Sequence, residues 1–120
     1  MSSADDSLKR AFIETQAKHQ NTSRQLATVR AQINAKDRDR KIGELAAKEL
    51  NQYPKDTNAY KSVGKMFLMQ DLSALTGSLQ QKSDDAAKEI KALTRASEKL
   101  ERDVKDLERG LTELLQRRMM

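Results

Sequence analysis

The sequence predicts a mainly helical protein, an antiparallel coiled coil of two helices joined by a β-hairpin. Three observations carry that expectation. The 120 residues are 34% charged and only 3% aromatic, too little bulk for a large globular core and typical of long helices. Two stretches repeat apolar residues in alternating steps of four and three, the 3.5-residue spacing of a coiled-coil seam. Between them lies "AYKSVGKMFLMQ", residues 59–70, which has strand character and a central glycine. The length fits a single domain over 1–120.

The first seam reads Leu8, Phe12, Thr15, His19, Thr22, Leu26, Val29 and Ile33, on a helix expected over about 6–40. Asp5 or Asp6 is the expected cap. The apolar pattern then slips near Lys36 and Arg40 and resumes at Ile42, Leu45, Ala46 and Leu50, about two positions out of step. Gly43 lies in that stretch, so a break or kink is expected there. Residues 41–58 are then a short helix, near 42–51, and a linker. Pro54 closes the helical stretch, since it disfavours helix at Tyr53 and lacks an amide donor.

The second seam is stronger and belongs to a helix expected over 71–118. It runs Leu79, Ser83, Ala86, Ile90, Leu93, Ser97, Leu100, Val104, Leu107, Leu111, Leu114 and Arg118, with nine of the twelve positions apolar. "DLS", residues 71–73, supplies capping residues. Gly77 and Gly110 are interior glycines, each costing up to ~1 kcal/mol relative to alanine.

The hairpin is expected over 59–63 and 66–70, turning at Gly64–Lys65. Glycine first in a two-residue loop suits a type II′ turn. Met66, Phe67, Leu68 and Met69 are apolar in succession, so both faces of that strand ask to be covered. At roughly 1.5–3 kcal/mol per buried side chain, the four are worth about 6–12 kcal/mol, comparable to the whole stability of a small domain. An isolated two-stranded hairpin is marginal in water, and its edges present unpaired amides and carbonyls. One pair of helices cannot cover both faces and both edges. Tyr60, Val63, Gly64, Met66, Phe67, Leu68 and Met69 are therefore expected to form an oligomerisation element.

A hairpin between the helices sends the second back beside the first, with Phe12 near Leu114 and Ile33 near Leu93 or Ile90. About 30 paired residues make an arm of roughly 45 Å. The hairpin is expected at one end and both termini at the other. The terminal end carries Leu8, Phe12, Ile13, Leu111, Leu114, Leu115, Met119 and Met120, more apolar groups than two helices can pack together. Methionine suits promiscuous binding surfaces. Leu8, Phe12, Leu111, Leu114, Leu115 and Met119 are the candidate contacts for exposed apolar segments of other proteins; the plainer alternative has Leu111 and Leu114 finishing the seam.

Catalytic chemistry is not expected. Cysteine is absent, which excludes disulfides, thiolate metal sites and thiol nucleophiles. His19 stands alone on a seam position, and the four glycines are scattered rather than grouped into a phosphate loop. No cofactor and no metal site are expected. The net charge of +5 is interleaved by sign, as in "EKLERDVKDLER" (98–109), where Glu98–Arg102 and Glu101–Lys105 lie at i,i+4. That is the pattern of a solvated helix face, and no nucleic acid is expected as a partner. No membrane partner is expected either, since no apolar run approaches the roughly 18 residues of a span. "MSSADDSLKR" lacks the apolar core of a signal peptide, so a cytosolic or nuclear location is expected.

"DTNAYKSVGKMFLMQ" (56–70), flanked by long helices and with "LKRAFIETQAK" (8–18) near the start, resembles the beta-class subunits of prefoldin. Tyr60, Val63, Gly64, Met66 and Phe67, in that spacing, carry most of the resemblance. It implies a heterohexamer of alpha- and beta-class subunits whose hairpins assemble into an inter-subunit β-barrel. It also implies arms whose tips hold unfolded proteins, notably actin and tubulin, and pass them to the cytosolic chaperonin without ATP. On the residues alone two alternatives stay open: a homo-oligomeric coiled-coil scaffold without clients, and a basic coiled coil that binds nucleic acid.

Overall fold

The computed structural model describes residues 3–119, Met119 by its backbone alone. Helix α1 spans Ser3–Leu50, strands β1 and β2 span Ala59–Val63 and Met66–Gln70, and helix α2 spans Leu72–Met119. α1 begins before the expected aspartate cap. Asp5 and Asp6 instead occupy its first turn, where carboxylates favour the exposed amides and the positive end of the helix dipole. Past Leu50 the backbone tightens: the N–H groups of Gln52 and Tyr53 donate to the carbonyls of Glu49 and Leu50, 3.2 Å each. Pro54 has no N–H to continue the ladder, and its carbonyl accepts from the Thr57 N–H at 3.0 Å. Asp71 sits just before α2, and its carbonyl accepts the Leu75 N–H at 2.9 Å, the first bond of the helix. Its carboxylate accepts the Ser73 hydroxyl at 2.8 Å. Gly77 and Gly110 lie inside α2 without ending it.

The expected break near residues 36–41 is absent, and the short separate helix with it: α1 is one helix through Leu50. The seam keeps its steps of three and four through Lys36, Arg40, Gly43, Ala47 and Leu50, each at least half-buried. Searching for large apolar residues picks out Ile42 and Leu45 instead, which are exposed. Up to Ala47 the true continuation consists of small and charged residues, so a hydrophobicity pattern picks it up again only at Leu50.

Residues 33–92 form one compact unit. Within it the helices approach closely because the facing residues are small. Ser83, 1% exposed, donates its hydroxyl to the Arg40 carbonyl at 3.2 Å. A Cβ built on Gly43 would lie 3.1 Å from the Leu79 carbonyl oxygen and 3.3 Å from the Ser83 Cβ. Ala47 and Ala86 are buried in the same unit, as are Ala59 and Leu72 on either side of the hairpin. Lys36 Nζ reaches Glu89 Oε2 across the pair at 2.7 Å.

Residues up to 32 pair with those from 93 in a second unit. Here the seam is bulkier. Leu26 is buried, and Leu8, Phe12, Thr15, His19, Thr22 and Val29 are half-buried opposite the equally half-buried Leu93, Leu100, Val104, Leu107, Leu111 and Leu114. Two helices cover one another on one side only, which leaves most seam positions half-buried. Arg118, the last seam position, is exposed. His19 Nε2 lies 3.3 Å from Glu108 Oε1, and Arg30 donates to Glu101 at 3.4 Å. Thr15, in the interior of α1, donates its hydroxyl back to the Ala11 carbonyl one turn earlier at 2.7 Å, which removes its polar hydrogen from the seam.

Candidate functional site

The hairpin is a two-stranded antiparallel sheet with Tyr60 opposite Met69, Ser62 opposite Phe67, Lys61 opposite Leu68 and Val63 opposite Met66. Gly64 has φ +61° and no described non-glycine residue has positive φ, Lys65 included. Positive φ at the first loop position alone fits the type II′ turn and the right-handed twist of the strands. Alternation places Tyr60, Phe67 and Met69 on one face and Val63, Met66 and Leu68 on the other. All six are exposed, Phe67 at 73%. Each face is thus apolar and open, and each strand has a free outer edge within the chain. Ala59 and Gln70, the pair at the base, are the only strand residues withdrawn from solvent.

A groove of about 470 Å³ forms in the unit that holds the chain ends. Leu8, Phe12, Leu114 and Leu115 line it, together with Ile13. The expected neighbours Phe12 and Leu114 do meet there. Leu111 does not line it and stays half-buried on the seam, a turn away. Ile13 and Leu115 are exposed on its rim, and Asp5, Lys9 and Arg118 complete the lining with both signs of charge. The Met119 side chain and Met120, also named from the sequence, lie outside the described residues. The apolar count of the sequence finds five of the groove's residues, Ile13 among them although it is not one of the candidate contacts; the charged rim shows only once the two helix ends are side by side.

Ion pairs elsewhere follow the helix repeat. Asp37 accepts from Arg40 at 3.0 Å and lies 3.1 Å from Lys41, and Arg40 also reaches Glu44 at 3.1 Å. Hydrogen bonds from Arg40 and then Lys41 hold the Asp37 carboxyl below its usual range, and the Asp37 bond raises Arg40 in turn. The hydrogen bond to Glu89 raises Lys36. These groups lie at the surface and act as structural pairs. Among the described residues no cluster of three or more acidic or histidine side chains is placed to hold a metal ion. No described helix is long and apolar enough to cross a membrane.

The family described as "Prefoldin subunit" matches this chain over residues 14–118. Prefoldin subunit 1 of Arabidopsis thaliana is 36% identical over 113 residues, covering 94% of this chain and 88% of that protein. Prefoldin subunit 1 of Homo sapiens is 35% identical over 114 residues, covering 95% and 93%. The crystal structure of the prefoldin beta subunit from Thermococcus strain KS-1 superposes with a TM-score of 0.76, covering 85% of this chain and 90% of that one. At 20% identity this last likeness speaks to the fold, two long helices joined by an antiparallel hairpin. The helices, the hairpin and the sequence agree: the chain belongs to the prefoldin subunit family, whose members are components of a co-chaperone complex.

Proposed function

We propose that this chain is one subunit of a heterohexameric, ATP-independent holdase that captures unfolded polypeptides such as actin and tubulin and delivers them to the cytosolic chaperonin. The observation that carries this reading is the hairpin, apolar and exposed on both faces with both outer edges open. Strands from alpha- and beta-class sister subunits complete it into a β-barrel. In that barrel Tyr60, Val63, Met66, Phe67, Leu68 and Met69 are buried and Gly64 supplies the turn.

Client contact falls to the groove of Leu8, Phe12, Leu114 and Leu115, with Leu111 supporting it from the seam and Met119 extending it. Its apolar floor and mixed-charge rim suit extended apolar segments rather than one shaped ligand. Capture by several arms at once converts weak single contacts into avidity through effective concentration. No step of this cycle calls on catalysis or nucleotide.

The test is reconstitution with the other subunits at near-physiological salt, native mass spectrometry, and suppression of denatured-actin aggregation without nucleotide. A heterohexamer that suppresses aggregation supports the proposal. A homodimer or homotetramer would replace it with the scaffold reading. In the same assay Leu115→Ser is expected to weaken client retention modestly, since one arm of several is altered, and to leave the assembly intact. Loss of the hexamer in that variant would show that the groove belongs to an interface instead.

A further inference from the structure

The hairpin carries two sulfur atoms. Met66 and Met69 are 66% and 68% exposed, and among the side chains described they are the only ones that contain sulfur. The chain has no cysteine, so no thiol of its own competes with them for an oxidant. They lie on opposite faces of the sheet, Met66 across from Val63 beside the turn and Met69 across from Tyr60 towards the base. The other exposed apolar residues of the hairpin, Tyr60, Val63, Phe67 and Leu68, offer a two-electron oxidant no comparable group.

Oxidation at either residue changes what its face offers. The thioether sulfur attacks one oxygen of hydrogen peroxide; the O–O bond breaks and an S–O bond forms. The sulfur gives up two electrons, the proton on the new S–O group passes to the departing hydroxide, and water leaves. A flexible apolar side chain becomes a polar sulfoxide. Buried without a donor, the sulfoxide oxygen opposes association, where the thioether favours it. Since each face carries one of the two sulfurs, covering either face meets one of them.

We propose that Met66 and Met69 form a reversible oxidation site that gates entry of this chain into its complex, with a peroxide as the oxidant. In the single chain both residues are open to solvent. Oxidised there, the chain is withheld from assembly; once the hairpin is covered, the same sulfurs are out of reach. A thiol-dependent sulfoxide reductase restores the thioether: the sulfoxide oxygen leaves as water while two thiols of the reductase become a disulfide. The consequence for assembly rests on the hairpin being the assembly element, and the experiment separates the two.

The unaltered chain is partly oxidised with hydrogen peroxide, freed of the reagent and mixed with the other subunits. Assembled and excluded chains are then separated, and their sulfoxides are mapped by peptide mass spectrometry. Assembled chains should be depleted of sulfoxide at Met66 and Met69 by roughly tenfold or more, and not at Met119 or Met120. Sulfoxide reductases should return the excluded chains to the complex. The Met66→Leu/Met69→Leu chain, which keeps the apolar bulk, should assemble equally well with and without peroxide treatment. Equal sulfoxide at Met66 and Met69 in the two pools, with assembly abolished by Phe67→Asp, would overturn the gate and leave the hairpin reading standing. Peroxide sensitivity that persists in the Met66→Leu/Met69→Leu chain would overturn the gate as well. Assembly that survives Phe67→Asp would overturn the hairpin reading and the gate with it.

Discussion

Phe67 and Leu26 are large apolar side chains of similar worth, yet in the single chain one is 73% exposed and the other 7%. The difference lies in where each can find a partner. Leu26 sits on a helical seam whose match, the seam of α2, is supplied later in the same chain. Phe67 sits on a strand whose ladder is satisfied on one side by β1 and on the other by none of the described residues. The seam folds the protomer, and the hairpin advertises what the protomer lacks. Such a division leaves the chain's most apolar surface exposed at the hairpin while the helices cover their own seam.

Four substitutions sharpen that comparison. Phe67→Asp should have the largest effect: a carboxylate in the centre of the proposed inter-subunit sheet should abolish the complex in native mass spectrometry while the chain's helicity persists. Leu26→Ala should act on the other side of the divide, lowering stability by about 2–3 kcal/mol through lost burial and a cavity. Its signature is a lower thermal midpoint with stoichiometry unchanged. Gly43→Val should cost about 1–3 kcal/mol by overpacking, because the added atoms meet the Leu79 carbonyl and Ser83 at 3.1–3.3 Å. Gly77→Ala should do the reverse, raising stability by up to ~1 kcal/mol and the thermal midpoint with it, since its Cβ meets nothing within 4 Å. If Gly77→Ala instead weakens the complex, a neighbouring chain uses that open space and the boundary between folding and assembly surfaces shifts onto α2.

The ion pairs take little part in this balance. Lys36–Glu89, Arg30–Glu101 and the Asp37–Arg40 cluster are surface pairs, screened by salt and contributing at most modestly. Their use is positional. Lys36 occupies a half-buried seam site with its ammonium on Glu89 of α2, which lets a charged residue stand where an apolar one is expected.

Much was legible from the residues alone, because the relevant physics is local and periodic. The 3.5-residue spacing from Leu8 to Ile33 and from Leu79 to Leu114 specified two seams, and the structure shields every one of those positions at least partly. Gly64 before Lys65 specified the turn, since only glycine takes positive φ there without strain. The unbroken run Met66–Met69 specified a strand apolar on both faces, and the chain by itself leaves both exposed. Phe12 beside Leu114 followed from counting outward from the hairpin. What the tertiary structure alone decided was the stretch from Lys36 to Leu50. There the helices approach so closely that Gly43 and Ala47 become the seam and Ile42 and Leu45 turn outward. Hydrophobicity cannot register a contact made by the absence of a side chain: the value of Gly43 lies in the 3.1 Å that separates its missing Cβ from the opposing backbone, a distance that exists only once α2 is in place.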